Sequence, residues 1–335
     1  MQTELIGKPH EASETGYAGL LGMRLGVLMR LIRESGLPTY EREIGYKDIH
    51  RHLILLVGMS GGLSSQEIVA LAGYEKAQVS RAIKPLERDG LMERERLRAK
   101  LTLLPPGRKL FERILAIAHE RDAVLTAGIA AADLKRFAVL TDALMQQAAR
   151  MYAEERQLSV DAGIISPASI PMGPPSWPQG PDGKPVKPPP HLITPKLVGL
   201  AVYMKRSAML AYQRSHGLSN FQWQVFSLIG RHPPLPMAQL ILAMARDKSQ
   251  IGRTVSHLEQ AGLIVRFRPT RRRDIMLEPT EHGAAAFRTM YEVARRRDEA
   301  LWNDRGAADR TFYSEIVDEL SARAREMITE GNENA

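Results

Sequence analysis

The sequence predicts a mainly α-helical protein with two similar domains, each carrying a small β-hairpin. Three observations lead to this fold class: apolar residues recur at helical spacing, the stretch at 45–96 has a second, related occurrence, and a proline-rich segment lies between the two. A length of 335 residues suits two domains. A content of 44% hydrophobic and 25% charged residues is typical of folded proteins.

Proline marks the boundary between the domains. Residues 167–195 contain 11 of the chain's 21 prolines, and proline removes a backbone donor and disfavours helix in the residue before it. We therefore predict four parts: a disordered tail at 1–15, a first domain at 16–155 (the N-terminal half), a proline-rich linker at 156–195 and a second domain at 196–330 (the C-terminal half).

The two halves repeat each other in a fixed register. When the first half is moved forward so that Lys76 meets Lys248, the window at 76–96 matches 248–268 at 9 positions, where chance gives about one. Its centre is K-A-Q-V-S-R against K-S-Q-I-G-R, and L-E and G-L follow in both. After the window the register moves by four, because the second occurrence has extra residues between Arg268 and Leu277, and Gly107 then meets Gly283. We interpret the chain as an internal duplication.

Each half is predicted as a series of helices with one hairpin. Leu21, Leu25, Leu28 and Ile32 form an apolar stripe typical of a helix, with a counterpart at 196–215. Capping boxes and glycines that favour a left-handed C-terminus delimit shorter helices, which are predicted at 47–57, 64–72, 76–89, 220–229 and 247–261. Strand-like segments follow at 91–96, 100–103, 263–267 and 274–277. Two long helices close each half.

A short helix, a turn, a second helix and a basic hairpin together make a winged helix-turn-helix. The second helix of this motif fits the major groove of DNA, with its N-terminal side chains facing the base edges. The hairpin, or wing, brings cations to the phosphates or the minor groove. The formal net charge of +8 agrees with a nucleic-acid partner.

This order of elements, with K-[AS]-Q-[VI]-x-R and L-E-x-x-G-L, resembles the MarR family of bacterial transcription regulators. The resemblance covers both halves. Members form homodimers through their terminal helices and read two-fold palindromes, so the resemblance implies that this chain carries both protomers. The expected fold is therefore mainly α with small β-wings, as two winged helix-turn-helix domains arranged as a pseudo-dimer.

Three departures from the family predict two unequal DNA contacts. The family wing has an Asp-x-Arg pattern near its tip, and the second wing has Arg271-Arg272-Arg273 there, so the acid is replaced. The first wing is shorter by the four residues noted above. Pro85 lies inside the first recognition helix and is expected to bend it.

The candidate DNA-binding residues are polar positions on the recognition helices and arginines of the wings. Glutamine suits adenine, and arginine suits guanine or phosphate, although a solvated helix face is the other interpretation. On the helices the candidates are Lys76, Gln78, Ser80, Arg81, Lys248, Ser249, Gln250 and Arg253. In the wings they are Arg94, Arg96, Arg98, Arg266, Arg268, Arg271, Arg272 and Arg273. The helix residues expected in the core are Val79, Ile83, Leu86, Ile251, Val255 and Leu258.

The resemblance also implies an effector. Members of the family bind small aromatic molecules between the winged domain and the long helices. Candidate effector-binding residues are Arg24, His50, Tyr203, Arg206 and Trp223. For each of them, core packing or surface exposure is the alternative interpretation.

Catalytic and metal sites are not predicted. Residues 58–62 fit the G-x-S-x-G pattern of a nucleophile elbow around Ser60, but an elbow needs a strand before the serine and a helix after it. The absence of cysteine excludes disulfides and thiolate metal sites. His50 and His52 would face different sides of a helix, so we expect no metal and no cofactor.

We therefore expect a sequence-specific DNA-binding transcriptional regulator, a ligand-responsive repressor that reads a pseudo-palindromic operator. The alternative is an architectural or partner-binding winged-helix protein with little sequence specificity. The expected partners are double-stranded DNA and a small aromatic effector, with the chain acting as a pseudo-dimeric monomer or a dimer of such chains. No apolar run reaches the length of a membrane span and residues 1–15 lack a secretory signal. We expect a cytoplasmic, nucleoid-associated protein.

Overall fold

The structure is a computed structural model that describes residues 19–72, 74, 76–96, 99–167, 192–244, 248–269, 274–303 and 305–333. The N-terminal half contains α1 (Leu21–Ile44), α2 (Asp48–Ser60), α3 (Ser65–Ala72), α4 (Lys76–Arg88), β1 (Met92–Glu93), β2 (Thr102–Leu103), α5 (Pro105–Leu125) and α6 (Ala131–Asp161). The C-terminal half contains α7 (Ile193–His216), α8 (Asn220–Arg231), β3 (Leu235–Pro236), α9 (Met237–Met244), α10 (Lys248–Gln260), β4 (Ile264–Phe267), β5 (Met276–Pro279), α11 (Glu281–Trp302) and α12 (Ala307–Glu333). The prediction of a mainly helical chain with small hairpins is confirmed.

Several sequence predictions fall outside the described residues. They concern the tail at 1–15, most of the linker, the cap at Asp247, and the wing arginines Arg98, Arg271, Arg272 and Arg273.

The two ends of the segment predicted as a linker are helical. Residues 156–166 contain no proline, and helix α6 continues to Asp161. Helix α7 begins at Ile193, with Pro195 in its first turn, where a missing amide hydrogen costs no intrahelical bond.

The described residues form two compact units that do not follow chain order. The wing-one unit consists of described residues of 24–153, 167–204 and 305–333. The wing-two unit consists of described residues of 19–23, 154–166 and 205–303. Each unit therefore combines the winged segment of one half with helical residues from the other half, which in the wing-one unit include the whole of α12.

Each winged segment has its own apolar core, and the recognition helix contributes to it. The predicted core residues on α4 and α10 are each at most 1% exposed, which confirms the periodicity argument: Val79, Ile83, Leu86, Ile251, Val255 and Leu258. Pro85 does not end helix α4, which continues to Arg88. Gly90 and Gly262 follow the two helices with a φ of 67° each, the left-handed backbone that glycine adopts without steric cost.

The two wings differ in length. In the wing-two unit, β4 pairs with β5 over four residue pairs, and β3 adds the pair Leu235–Leu277 on the other edge of β5. In the wing-one unit, β1 and β2 share two residue pairs, and an isolated bridge joins Leu63 to Leu101. In the register of the duplication, this bridge is the equivalent of Leu235–Leu277. The first strands are therefore shorter than predicted, and strand β3 was not predicted.

Helix α2 ends three residues later than predicted, because Gly58 serves close packing instead of ending the helix. A Cβ at Gly58 would collide with the ring of Phe111 on α5. Gly230 on α8 has the same relationship to Phe287 on α11. In both units, the missing side chain lets the helix after the wing pack closely on the helix before the helix-turn-helix.

Within the wing-one unit, the last helix of the C-terminal half packs on the last helix of the N-terminal half. The rings of Phe137 on α6 and Tyr313 on α12 stack at 4.4 Å, and the two hydroxyls of Thr141 and Tyr313 are 3.0 Å apart. Arg136 lies over the ring of Phe312, 4.1 Å from its centroid. Among the described residues, no helix is long and apolar enough to cross a membrane.

Candidate nucleic-acid interface

The recognition helices α4 and α10 bury one face and expose basic residues on the other. Most residues predicted to bind DNA from these helices are exposed: Lys76, Ser80, Arg81, Lys248, Ser249, Gln250 and Arg253. Gln78 is half-buried. The two helices thus present lysine and arginine at equivalent positions, as a pair of similar half-sites would require.

Arg94 and Arg266, predicted as wing contacts to DNA, are paired with acids of the recognition helices. The Nε of Arg94 lies 2.8 Å from Glu87 on α4, and the Nη2 of Arg266 lies 2.6 Å from Glu259 on α10. In the register that pairs Lys76 with Lys248, Arg94 is equivalent to Arg266 and Glu87 to Glu259. In each unit this ion pair ties the wing to the recognition helix. The following wing arginines, Arg96 and Arg268, are exposed.

The outward faces of the first wing strands differ in charge. Glu93 and Glu95 are exposed in the wing-one unit, whereas Val265 and Phe267 are exposed at the equivalent positions of the wing-two unit. Carboxylates next to a phosphate backbone are repelled. The second wing is therefore better suited to approach DNA than the first.

The candidate effector residues of the wing-one unit have partners within that unit. The Nη2 of Arg24 lies 2.6 Å from Asp318. His50 packs edge-on against Tyr46 at 5.8 Å between ring centroids, and burial lowers the pKa of His50, followed by the charge of Lys47. Tyr203 is buried and packs edge-on against Tyr152.

The remaining two candidates lie in the wing-two unit. Arg206 is half-buried on α7. Trp223 is buried among aromatic rings, with Tyr212 at 4.7 Å and Phe226 and Phe287 at 6.4 Å between centroids. Trp223 therefore fills the core of its winged segment, which agrees with the alternative interpretation given above for this residue.

The position equivalent to Trp223 holds a buried arginine. That residue is Arg51, and its guanidinium sits 4.5 Å from the ring centroid of Tyr40, the equivalent of Tyr212. Arg51 also donates to the Tyr46 carbonyl at 2.6 Å and to Asp48 at 2.7 Å. The cores of the two winged segments therefore differ at this position.

A repeated Arg-Asp dipeptide on α5 and α11 was missed by the sequence reasoning. Asp122 accepts hydrogen bonds from the first amides of α7, and Asp298 accepts one of 2.8 Å from the Leu21 amide at the start of α1. The preceding arginines bind serines of first helices: Arg121 donates to Ser35 and Arg297 to Ser207. The signal was present in the sequence, because R-D-x-x-L recurs in the register that pairs Gly107 with Gly283.

Ser60 does not have the geometry of a nucleophile elbow. It lies in the last turn of α2, preceded by helix and not by a strand, and its hydroxyl donates to the Leu56 carbonyl at 2.7 Å. In the part of the chain that the structure describes, no group of three or more His, Asp or Glu residues could hold a metal ion.

Comparison with known proteins links one of these segments to a family. Residues 216–274 match the model of the MarR family. The matched stretch runs from the end of α7 through the recognition helix α10 and strand β4, and it stops before strand β5. The resemblance noted from K-x-Q-x-x-R and L-E-x-x-G-L is confirmed for this segment.

Two other proteins are similar to parts of this chain. A protein of Thauera aromatica, to which a role as transcriptional regulatory protein for the hcr operon has been assigned, is 29% identical over 108 residues. The alignment covers 30% of this chain and 65% of the length of that relative. A solved MarR protein from Peptoclostridium difficile DA00132 is 15% identical, with a TM-score of 0.35 over 43% of this chain and 92% of the other.

Proposed function

We propose that the chain is a MarR-family transcriptional regulator that binds DNA in a sequence-specific manner. The observation that carries the proposal is the pair of exposed basic recognition helices, each supported by the same wing ion pair, Arg94–Glu87 and Arg266–Glu259. The family match at 216–274 and the role assigned to the Thauera aromatica relative point in the same direction.

In this proposal the two halves form a single-chain pseudo-dimer. Support comes from the Gly-Phe contacts, wing pairings and Arg-Asp dipeptides that recur in the register of the duplication, and from the packing of Phe137 on Tyr313. The operator is a pseudo-palindrome with half-sites about one helical turn apart. Covalent linkage replaces dimerisation by raising the effective concentration of the second domain to about the millimolar range.

The regulatory mode belongs to the same proposal. The chain acts as a repressor in the bacterial cytoplasm, bound to the nucleoid, and a small aromatic ligand releases it from the promoter. Arg24, His50, Tyr203 and Arg206 stay candidates for that ligand. Trp223 is the weakest candidate, because its ring is already enclosed by three aromatic neighbours.

The experiment is a fluorescence anisotropy titration of the full chain on the DNA upstream of its own gene, with scrambled DNA of equal length, at two salt concentrations. We expect a preference of about a thousandfold for the native sequence and one chain per site. Arg81→Ala and Arg253→Ala should each weaken binding by about 1–3 kcal/mol. Arg325 is an exposed arginine on α12, and Arg325→Ala is the matched control, which should leave DNA binding unchanged.

A specific observation favours a second candidate function. The first wing is short, with two residue pairs between β1 and β2, which suits an architectural or partner-binding winged-helix protein with little sequence specificity. Equal affinity for the two DNAs, with steep salt dependence for both, would support that function and contradict the regulator.

A further inference from the structure

A buried carboxylate in the wing-two unit is held by two arginines. Glu155, near the end of α6, is 6% exposed. Its Oε1 lies 2.7 Å from Nε of Arg214 on α7, and its Oε2 lies 3.3 Å from Nη2 of the same residue and 3.7 Å from Nη1 of Arg297 on α11. We call these three residues the Glu155 cluster. A buried charge of this kind is retained only when it is well paired.

The Glu155 cluster joins the two helices that flank the second winged segment. Helix α7 ends at His216 just before the segment, and α11 begins at Glu281 just after it. Arg297 also donates to the Ser207 hydroxyl on α7. One carboxylate from the N-terminal half therefore contacts both helices that flank the winged segment of the C-terminal half.

The N-terminal half has both equivalent arginines, but a glycine of α12 stands at the position equivalent to the acid. Arg42 and Arg121 are equivalent to Arg214 and Arg297, and the equivalent of Glu155 is Gly331. The register for this last pair is set by α6 and α12, which begin at Ala131 and Ala307.

The two arginines of the N-terminal half bind other groups. Among the described residues, Arg121 donates to the carbonyls of Ile32 and Ser35 and to the Ser35 hydroxyl, which are neutral acceptors. Arg42 pairs with its neighbour Glu43 at 3.4 Å. Among the side chains that the structure describes, no acid of α12 pairs with Arg42 or Arg121 as Glu155 pairs with Arg214 and Arg297.

We propose that Glu155 is a positioning residue that prepares the C-terminal winged segment for its half-site, while the N-terminal winged segment lacks this support. The two half-sites are then bound with unequal preorganisation, and preorganisation adds affinity by reducing the ordering cost of binding. This inference rests on the proposed function for its DNA readout only, because the cluster itself can be tested in the free protein.

The test compares hydroxyl-radical footprints on the upstream DNA for the full chain and for Glu155→Gln. Arg253→Ala first identifies the protected patch that belongs to α10. Glu155→Gln should weaken that patch by about three- to tenfold and leave the other unchanged. Arg214→Gln, at a side chain that is 38% exposed, is the milder second variant should Glu155→Gln fail to fold. Equal weakening of both patches, or of neither, would overturn the proposal.

The reciprocal variant places a carboxylate on α12 of the C-terminal half, at the position equivalent to Glu155. Gly331 has nothing within 4 Å of an added Cβ, so Gly331→Glu can be compared with Gly331→Gln, which has the same size and helix propensity but no charge. The glutamate should strengthen the patch assigned to α4 relative to the glutamine, and equal footprints would contradict the asymmetry.

Amide hydrogen exchange separates this inference from the proposed function. In the free protein, Glu155→Gln and Arg214→Gln should speed exchange in α10 and leave α4 unchanged. If exchange is faster in α10 alone but the unmodified chain gives no footprint, the positioning role of Glu155 is supported and the DNA-binding function is rejected. A normal footprint with unchanged exchange in α10 would reject the cluster alone.

Discussion

The carboxylate of Asp122 on α5 caps helix α7 through Thr194. Its Oδ1 accepts hydrogen bonds from the Thr194 backbone amide at 2.9 Å and from the Thr194 hydroxyl at 2.6 Å. Its Oδ2 accepts one from the Ile193 amide at 3.1 Å. These amides are donors that a helix leaves unsatisfied at its start. A residue of the N-terminal half thereby fixes the first helix of the C-terminal half, at the end of the proline-rich segment.

Asp122→Asn should lower the free energy of unfolding by about 1–3 kcal/mol, because an amide oxygen is a weaker acceptor and the new amino group is buried without a matching acceptor. Urea denaturation followed by circular dichroism measures this change. Asp274→Asn, at an exposed position before β5, is the control and should stay within about 0.5 kcal/mol. An Asp122→Asn protein as stable as the original would show that the cap is dispensable.

The sequence predicted the elements whose signals are local. The helix spacing of Val79, Ile83 and Leu86 identified the buried face of α4, and the glycines at 90 and 262 identified the ends of both recognition helices. The capping box of Ser64 and Glu67 is also present, with bonds of 2.7 and 3.2 Å.

Features that depend on contacts distant in sequence were missed. Strand β3 gains its partner from β5, which lies beyond the whole helix-turn-helix and the first wing strand, so no local pattern marks it. The roles of Arg94 and Arg266 as ion-pair partners depend on how each wing folds back on its recognition helix. The division into units could not be predicted, because a proline-rich boundary says nothing about which helix ends pack together.

The lysines of the recognition helices should act through phosphates. Lys76→Ala and Lys248→Ala should each weaken binding to native and scrambled DNA alike and reduce the slope of log affinity against log salt by about 1. Anisotropy titrations across a salt series give this slope. Lys109→Ala, an exposed lysine on α5, should leave the slope unchanged. A selective loss on native DNA would instead assign these lysines to base contacts.

Stability should fall as pH drops below neutrality, in part through His52. Burial lowers the pKa of His52 in the folded state, so below its unfolded pKa of about 6.5 the unfolded chain binds a proton that the folded chain does not. The resulting loss in the free energy of unfolding grows as the pH falls and levels off once the pH is below the folded-state pKa of His52. His52→Gln should reduce this pH dependence, and the equivalent position of the C-terminal half already carries Gln224.

Thermal unfolding between pH 5 and pH 8 measures the effect of His52→Gln. Burial also lowers the pKa of His50 and His216, so the slope should shrink without vanishing. An unchanged slope would show that His52 does not contribute.

Two glycines after the wings should not tolerate a side chain. A Cβ at Gly107 would collide with the Leu91 carbonyl oxygen, and one at Gly283 with the Leu263 carbonyl oxygen. Each of these carbonyls also accepts a hydrogen bond from a backbone amide at the end of the wing. The Leu104 amide donates to Leu91 at 3.0 Å, and the Thr280 amide donates to Leu263 at 3.1 Å. The Leu91 and Leu263 carbonyls are therefore each fixed by a hydrogen bond and cannot easily move away from a new side chain.

Gly107→Ala and Gly283→Ala should each destabilise the protein by about 1–3 kcal/mol or more, as overpacking does in a filled core. Gly26→Ala is the matched control, since nothing lies within 4 Å of a Cβ there. Within helix α1 that change should stabilise by about 0.5–1 kcal/mol. Chemical denaturation ranks the three variants, and similar effects at all three positions would refute the steric argument.

The bond from the Leu21 amide to Asp298 spans 277 residues. During synthesis, Asp298 is therefore added 277 residues after the start of α1. At about 5–20 residues per second, the interval is roughly 14–55 s. The first amide of helix α1 can thus gain this partner only after Asp298 has been translated, and a nascent chain stalled before Asp298 would expose that end of α1 to chaperones and proteases.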